Sequence, residues 1–197
     1  MLNGYMNMKV LKVLLIVVAL IIATFFTVGA FLPAKTKVER SIIINQSVET
    51  VFNKVNSFKE FNTWSPWAMK DKTTEYIYSG AESGVGAKME WRSDHPEVGS
   101  GSQEIIESTL NETVTVSLKF DEQSGDAKAQ YFLLPVMHSG KPMTRITWSL
   151  HLDNESNIIG RYFGLMMDEW VGTEYEKGLN QLKEVLEPKG LQSGSSL

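Results

Sequence analysis

The pattern of hydrophobic residues separates a long apolar segment at the amino terminus from a region with shorter, alternating patterns. Residues 13–32 read "VLLIVVALIIATFFTVGAFL" and contain no charged side chain. As a helix with a rise of about 1.5 Å per residue, this run spans about 30 Å, which matches the hydrocarbon core of a bilayer. The pattern predicts a short tail (1–12), a transmembrane helix (13–32) and a linker (33–37).

A cleaved secretory signal peptide is the alternative interpretation of this segment. Lys9 and Lys12 would form its basic region, and Val28, Gly29 and Ala30 resemble its cleavage site. The apolar run exceeds the roughly 7–15 residues of such peptides, which favours a retained anchor. Basic residues flank both ends of the run. A short tail before a single anchor nevertheless favours an extracytoplasmic position for the domain that follows.

The rest of the chain, up to residue 188, alternates between apolar and polar positions as antiparallel strands do when one face is covered. Val114, Val116, Leu118 and Phe120, for example, are separated by single polar residues. The pattern predicts seven strands, at 38–44, 73–79, 87–93, 102–109, 113–120, 127–134 and 144–152.

Helical spacing occurs at 48–56, where Ser47 is a good N-cap, in a short turn at 58–61, and at about 160–187. The last helix is the one predicted element long enough to cover the sheet. The sequence therefore predicts an α+β domain over 38–188, in which a curved, seven-stranded antiparallel sheet wraps on a long carboxy-terminal helix. Such a sheet leaves a cavity beside the helix. Residues 189–197 are predicted to be disordered.

Composition and charge exclude several classes of protein. The chain has no cysteine, which rules out disulfides, a thiolate nucleophile and cysteine-ligated metal. From Val38 onward, acidic residues outnumber basic ones by eight. An acidic domain of this kind is not expected to bind nucleic acid, and it has no general attraction to anionic lipid.

The motifs of common catalytic and cofactor sites are missing from the sequence. No helix is predicted after Gly84 and Gly86, so they do not form a nucleotide-binding loop. His95, His138 and His151 lack metal-ligand spacing, and no serine lies in a nucleophile elbow. We therefore predict neither a metal site nor a cofactor.

The strongest candidate site is a set of aromatic and methionine side chains, which either fill the core or line a pocket for apolar ligands. In "TWSPW", two indoles flank a Ser-Pro break. We expect one of them to be a buried structural plug and the other to border the pocket entrance. The candidate ligand-binding residues are Trp64, Trp67, Met69, Tyr76, Met89, Trp91, Trp148, Phe163, Met166, Met167 and Trp170.

Three carboxylates are weak candidates for acid–base chemistry. Glu104 lies on a predicted strand, and Asp168 and Glu169 lie in the predicted long helix near several of the apolar candidates. A carboxylate that faced an apolar cavity would have a raised pKa and could exchange a proton with a ligand. The alternative is that all three form ion pairs at the surface.

Three stretches carry a resemblance to a known family: "VERSIIINQSVETVFNKVNSFKEFNTWSPW", "YSGAESGVGAKMEWRS" and "GLMMDEWVGTEYEKGLNQLKEVLE". Across residues 37–188 the chain resembles the START-like (SRPBCC) superfamily, in its polyketide cyclase/dehydrase branch. The resemblance implies the helix-grip fold and a cavity for a hydrophobic ligand. Relatives bind lipids, sterols, polyketides or plant hormones, and some catalyse cyclisation or dehydration. Similar proteins carry an amino-terminal anchor.

Three hypotheses follow for the function. The first is a membrane-anchored module that binds a lipid-like, apolar or amphipathic small molecule and is tethered through residues 13–32. The second is a cyclase or dehydratase that uses a cavity carboxylate. The third is a non-catalytic envelope interaction module with a filled core.

Overall fold

The computed structural model describes residues 8–120, 127–138 and 140–187, so the predicted disordered tail lies outside the described residues. The helices are α1 (Met8–Phe31), α2 (Val48–Val55), α3 (Phe58–Phe61), α4 (Pro66–Lys70), α5 (Ile158–Gly164) and α6 (Met167–Leu186). The strands are β1 (Lys35–Ile44), β2 (Glu75–Gly80), β3 (Ala87–Arg92), β4 (Gly101–Thr109), β5 (Thr113–Phe120), β6 (Ala127–His138) and β7 (Lys141–Asp153).

The strands form a single antiparallel sheet in the order β1-β7-β6-β5-β4-β3-β2. From β2 to β7, each strand pairs with the next in the chain, whereas β1 pairs with β7. A register shift between Ile105 and Glu107 interrupts the pairing of β4 with β5, and such a bulge bends the strand. The prediction of seven strands in a curved antiparallel sheet is confirmed.

One face of this sheet is buried because its strands alternate in polarity. In β3, for example, Ala87, Met89 and Trp91 are buried, and the residues between them are exposed. Helix α6 covers this face with side chains that recur at helical spacing. Its buried residues are Gly172, Tyr175, Gly178, Leu179, Leu182 and Leu186. The helix-grip fold is therefore confirmed.

The prediction of one continuous helix at about 160–187 is wrong, because α5 and α6 are separate helices. Asn157 caps α5 by accepting a hydrogen bond from the Gly160 amide at 2.9 Å. The chain then turns at Leu165 and Met166. Glycine weakens a helix, and Gly164 fits so closely against Thr36 of β1 that a Cβ would clash. Helix α5 thus packs on the start of β1, whereas α6 follows the sheet.

Gly178 allows α6 to approach the core, and its replacement by alanine is expected to destabilise the domain by about 1–3 kcal/mol. A Cβ there would lie 2.9 Å from both Pro66 and the Trp148 ring, neither of which has room to move. Gly172→Ala is the matched control, because its Cβ would meet only the end of the Arg40 side chain, which can move aside at the small cost of its surface ion pairs with Asp168 and Glu176. Urea unfolding of the full-length protein in detergent micelles would compare the two. Equal midpoints would contradict the prediction.

Helix α1 is long and apolar enough to cross a membrane, as the sequence predicts, although it begins at Met8 rather than at residue 13. Its carboxy-terminal end packs against α5. The Phe25 and Tyr162 rings stack with their centroids 4.6 Å apart, and the Tyr162 hydroxyl donates to the Phe25 carbonyl at 2.7 Å. Gly29 is buried against Ile158 and Tyr162. This contact fixes where the domain lies relative to the end of α1.

Candidate functional site

An internal cavity of about 110 Å³ lies between the concave face of the sheet and α6. Side chains from β2 to β7, from α3, α4 and α6, and from the loop before β4 line it. The floor is built where strands pair, since Ala129 of β6 lies opposite both Val116 of β5 and Leu150 of β7. All three residues line the cavity. The antiparallel register therefore brings aliphatic side chains of three strands together beneath the helix.

The cavity lining is uncharged. None of the described lining residues is an Asp, Glu, Lys, Arg or His. Polar groups come from Asn62, Ser65, Gln103 and three tyrosines. Burial raises the pKa of Tyr131 and of Tyr175, so both hydroxyls are neutral at physiological pH. A cavity of this composition suits an uncharged, mainly apolar group.

Trp148 is the centre of an aromatic cluster at one end of the cavity. Its ring stacks on Tyr175 at a centroid distance of 3.8 Å and packs against Trp64 at 5.4 Å, Tyr131 at 5.3 Å and Trp67 at 5.9 Å. Its indole nitrogen is buried and has no hydrogen-bond partner in the described part of the chain. Packing on all sides makes this wall of the cavity rigid.

The Trp-Ser-Pro-Trp turn places its two indoles in different surroundings. Ser65 caps α4, and Pro66 lies in the first turn of that helix, so local sequence accounts for the start of the helix between the two indoles. Trp64 is fully buried, and its indole nitrogen donates to the Lys54 carbonyl at 3.1 Å. Trp67 is half-buried and lines the cavity. Trp64 therefore belongs to the core, and Trp67 contacts the site.

An outer groove of about 450 Å³ adjoins the cavity on the side of α5. The shared wall is formed by Trp67, Val98, Phe120, Leu150 and Val171, which line both spaces. The groove is less uniform than the cavity, since Glu97, Ser100, Asp153 and Asn154 also line it. An elongated molecule could thus place an apolar end inside and a polar end in the groove.

The structure divides the eleven candidate ligand-binding residues into groups. Trp67, Tyr76, Met89, Trp91 and Trp148 line the cavity. Phe163 and Met167 line the outer groove. Met69, Met166 and Trp170 are exposed and, like the buried Trp64, line neither space. Those four residues do not form part of the site as it stands.

The aliphatic lining residues were missed because only aromatic and methionine side chains were selected, and Tyr131 and Tyr175 were missed although they are aromatic. Val116, Leu118 and Leu150 occupy inward positions of strands whose alternation is plain in the sequence. That alternation could have identified them. No local signal marks Asn62 or Gln103, since only the folded chain brings them to the cavity.

None of the three candidate carboxylates lines the cavity. Asp168 is exposed and accepts a hydrogen bond from Arg40 at 2.9 Å, which lowers the pKa of Asp168. Glu104 forms an ion pair with Lys88 at 3.2 Å, and Glu169 is exposed. None of the three therefore lies where it could exchange a proton with a ligand in the cavity.

A partly buried ion pair, which the sequence did not reveal, supports the rim of the site. Lys70 of α4 lies 3.1 Å from Glu174 of α6 and 3.4 Å from Glu97 of the loop before β4. Burial raises the pKa of Glu174, but hydrogen bonds from Lys177 and Lys70 outweigh this and lower it. Lys70 thus joins three segments around Trp67, at the boundary between cavity and groove.

A curved antiparallel sheet that grips a carboxy-terminal helix over an apolar cavity defines a START-like protein. The chain belongs to the family described as "Polyketide cyclase / dehydrase and lipid transport", which matches residues 35–187. The resemblance seen in the sequence is thereby confirmed. No curated protein gives a significant match.

Solved structures share the fold at low sequence identity. A protein from Nitrosospira multiformis is 21% identical with a TM-score of 0.56, covering 77% of this chain and 97% of its own. A START superfamily protein from Mycobacterium smegmatis is 15% identical with a TM-score of 0.56, and the coverage is again 77% and 97%. A protein from Chromobacterium violaceum is 16% identical with a TM-score of 0.54, covering 78% and 98%.

Proposed function

We propose that this protein is a membrane-anchored module that binds a hydrophobic or amphipathic, lipid-like small molecule. The observation that carries the proposal is the uncharged cavity between the sheet and α6, which adjoins a groove that polar residues also line. Ligand pockets usually enclose about 300–1,000 Å³. The cavity alone, at about 110 Å³, is smaller than this, but cavity and groove together fall within the range.

The surroundings favour a ligand with an apolar end and a neutral or positively charged polar end. Transfer of a charged group into the cavity would be costly, because the described lining offers no opposite charge. The groove offers the carboxylates of Glu97 and Asp153 as hydrogen-bond acceptors. A hydroxyl or amino group on the ligand could donate to them while the apolar part fills the cavity.

The contact between α1 and α5 supports retention of α1 as the anchor. Cleavage after Ala30 would remove Phe25 and Gly29, against which Tyr162 packs. It would also remove the Ala30 carbonyl, to which Arg161 donates at 3.1 Å. A removable signal peptide has no need of such contacts. The side of the membrane on which the domain lies stays a prediction from the short tail before the anchor.

The two alternative functions have less support. An acid–base enzyme of the cyclase or dehydratase kind needs a carboxylate held out of water beside the ligand. The candidate carboxylates lie outside the cavity, and those of the groove, Glu97 and Asp153, are exposed. An interaction module with a filled core needs a sheet and helix packed without a void, whereas this domain has one. The family's description names cyclase and dehydrase beside lipid transport, so it does not decide between the first alternative and the proposal.

The proposal predicts that the full-length protein carries or takes up one apolar molecule per chain. Native mass spectrometry after purification in mild detergent would show an added mass, and solvent extraction would release it. In parallel, the fluorescence of cis-parinaryl alcohol, an apolar chain with an uncharged hydroxyl end, would rise on binding and saturate at a ratio of about one per chain, as expected for one cavity. A protein that carries no molecule and never takes up the probe would disprove ligand binding.

A further inference from the structure

Outside α1, five exposed apolar side chains lie close together in the chain, in α5, the turn after it and the start of α6. Ile159, Phe163, Leu165, Met166 and Trp170 all lie within twelve residues, and each exposes between 45% and 60% of its surface. No residue of α5, which the structure describes in full, is buried. Large apolar side chains that cluster at one surface mark a contact site rather than ordinary exposure. We call these five residues the α5 patch.

The contact with α1 fixes the depth of this patch relative to the membrane. Tyr162 of α5 stacks on Phe25, and Phe25 precedes the last helical residue, Phe31, by six positions. Six residues of helix rise by about 9 Å. Helix α5 therefore lies beside the final turns of α1 and not beyond its end. With α1 in a bilayer, α5 is level with the boundary between head groups and acyl chains, where amphipathic helices lie.

The charged side chains near the patch are engaged with other groups or are acidic, so the patch suits an apolar contact with lipid and not an electrostatic attraction. Arg161 is engaged by backbone, since it donates to the carbonyls of Ala30 and Glu155. Lys35 lies 3.3 Å from Glu155 in an ion pair, and Glu169 is exposed beside Trp170. Among the residues that the structure describes, the region thus lacks the cluster of unpaired basic side chains that anionic lipid would attract. Trp170 is the kind of residue found where protein meets the membrane interface.

The patch also reaches the ligand site. Phe163 belongs to the patch and also lines the outer groove. Gly160 and Gly164, on the same helix, line the groove as well. If α5 lies in the interface, the groove opens at the lipid surface and not into bulk water.

We propose that the α5 patch inserts into the lipid surface beside the anchor and that the groove takes its ligand directly from the bilayer. This inference rests on the proposed ligand-binding function and on retention of α1. It adds a defined membrane contact and a route of entry, neither of which follows from tethering alone. Because the contact is apolar, it forms equally with neutral and anionic lipid.

The contact is tested on the full-length chain in nanodiscs of phosphatidylcholine. The chain has no cysteine, so single cysteines at Leu165 and Trp170 can each carry an environment-sensitive fluorophore. Leu110 and Met137 are matched controls, since they are apolar and expose 72% and 70% of their surface elsewhere in the domain. Quenching by doxyl-labelled lipid is expected to lower the signal at least about twofold at the patch and to leave the controls unchanged. Equal quenching at all four positions would overturn the proposal.

The entry route is tested with the triple variant Ile159→Ser, Leu165→Ser, Trp170→Ser, whose positions line neither cavity nor groove. Uptake of cis-parinaryl alcohol from vesicles is expected to slow about tenfold, because the groove is no longer held at the lipid surface. Uptake from a cyclodextrin solution should match the wild type. Unchanged uptake from vesicles would overturn the route. If the wild type took up the probe from neither source, both ligand binding and the entry route would be disproved. The quenching experiment would still decide whether the patch contacts lipid.

Discussion

Replacing Trp64 with alanine is expected to lower the free energy of unfolding by about 3–5 kcal/mol. The side chain is fully buried, packs edge-to-face against Phe61 and Trp148, and donates to the Lys54 carbonyl. The substitution removes these contacts, leaves a void that rigid aromatic neighbours cannot fill, and deprives a carbonyl of its donor. Urea unfolding of the full-length protein in detergent micelles would measure the loss.

Trp170→Ala is the matched control, because it makes the same chemical change at a side chain that is 47% exposed. We expect a cost of less than about 1 kcal/mol in detergent. If both variants unfolded at the same urea concentration, the core position of Trp64 would be contradicted. Trp67→Ala completes the set. It should weaken binding of cis-parinaryl alcohol more than Trp64→Ala does under conditions where both proteins are folded, because Trp67 lines both the cavity and the groove.

The strands were predictable because polarity alternates along them, and this signal is local. Val114, Val116 and Leu118 show the inward face of β5 without any knowledge of its neighbours. The break between α5 and α6 was not predictable in the same way. Apolar residues continue through it, and the reason for the turn is the fit of Gly164 against Thr36, far away in the chain.

The candidate site was harder to predict than the fold, because residue type does not tell a core position from a cavity position. Trp64 and Trp67 are identical in chemistry and three positions apart, yet only Trp67 lines the cavity. Asp168 had an apolar sequence neighbourhood, which suggested a raised pKa. Its partner is Arg40, 128 positions away, and that contact decides its ionisation. Pairing across such distances is a property of the folded chain.

A larger side chain on the cavity floor is expected to weaken ligand binding without unfolding the domain. Ala129 is buried between Val116 and Leu150, so a larger side chain there must enter the cavity. In Ala129→Leu, we expect at least about a tenfold loss of affinity for cis-parinaryl alcohol, since the apolar end of the ligand and the new side chain compete for one space. Titration of the full-length protein in detergent micelles would measure the loss.

Stability should respond in a different way from binding. Burial of three more carbon atoms contributes at most about 2 kcal/mol, and any overpacking offsets part of this, so Ala129→Leu stays folded. Lys128→Leu is the matched control, because the preceding residue of the same strand points to the opposite face and is exposed. It should bind the probe as the wild type does. If Ala129→Leu kept full affinity while folded, the ligand would have to bind elsewhere, and the cavity could not be the site. If both leucine variants lost affinity equally, the loss would come from the sheet as a whole and not from the filled space.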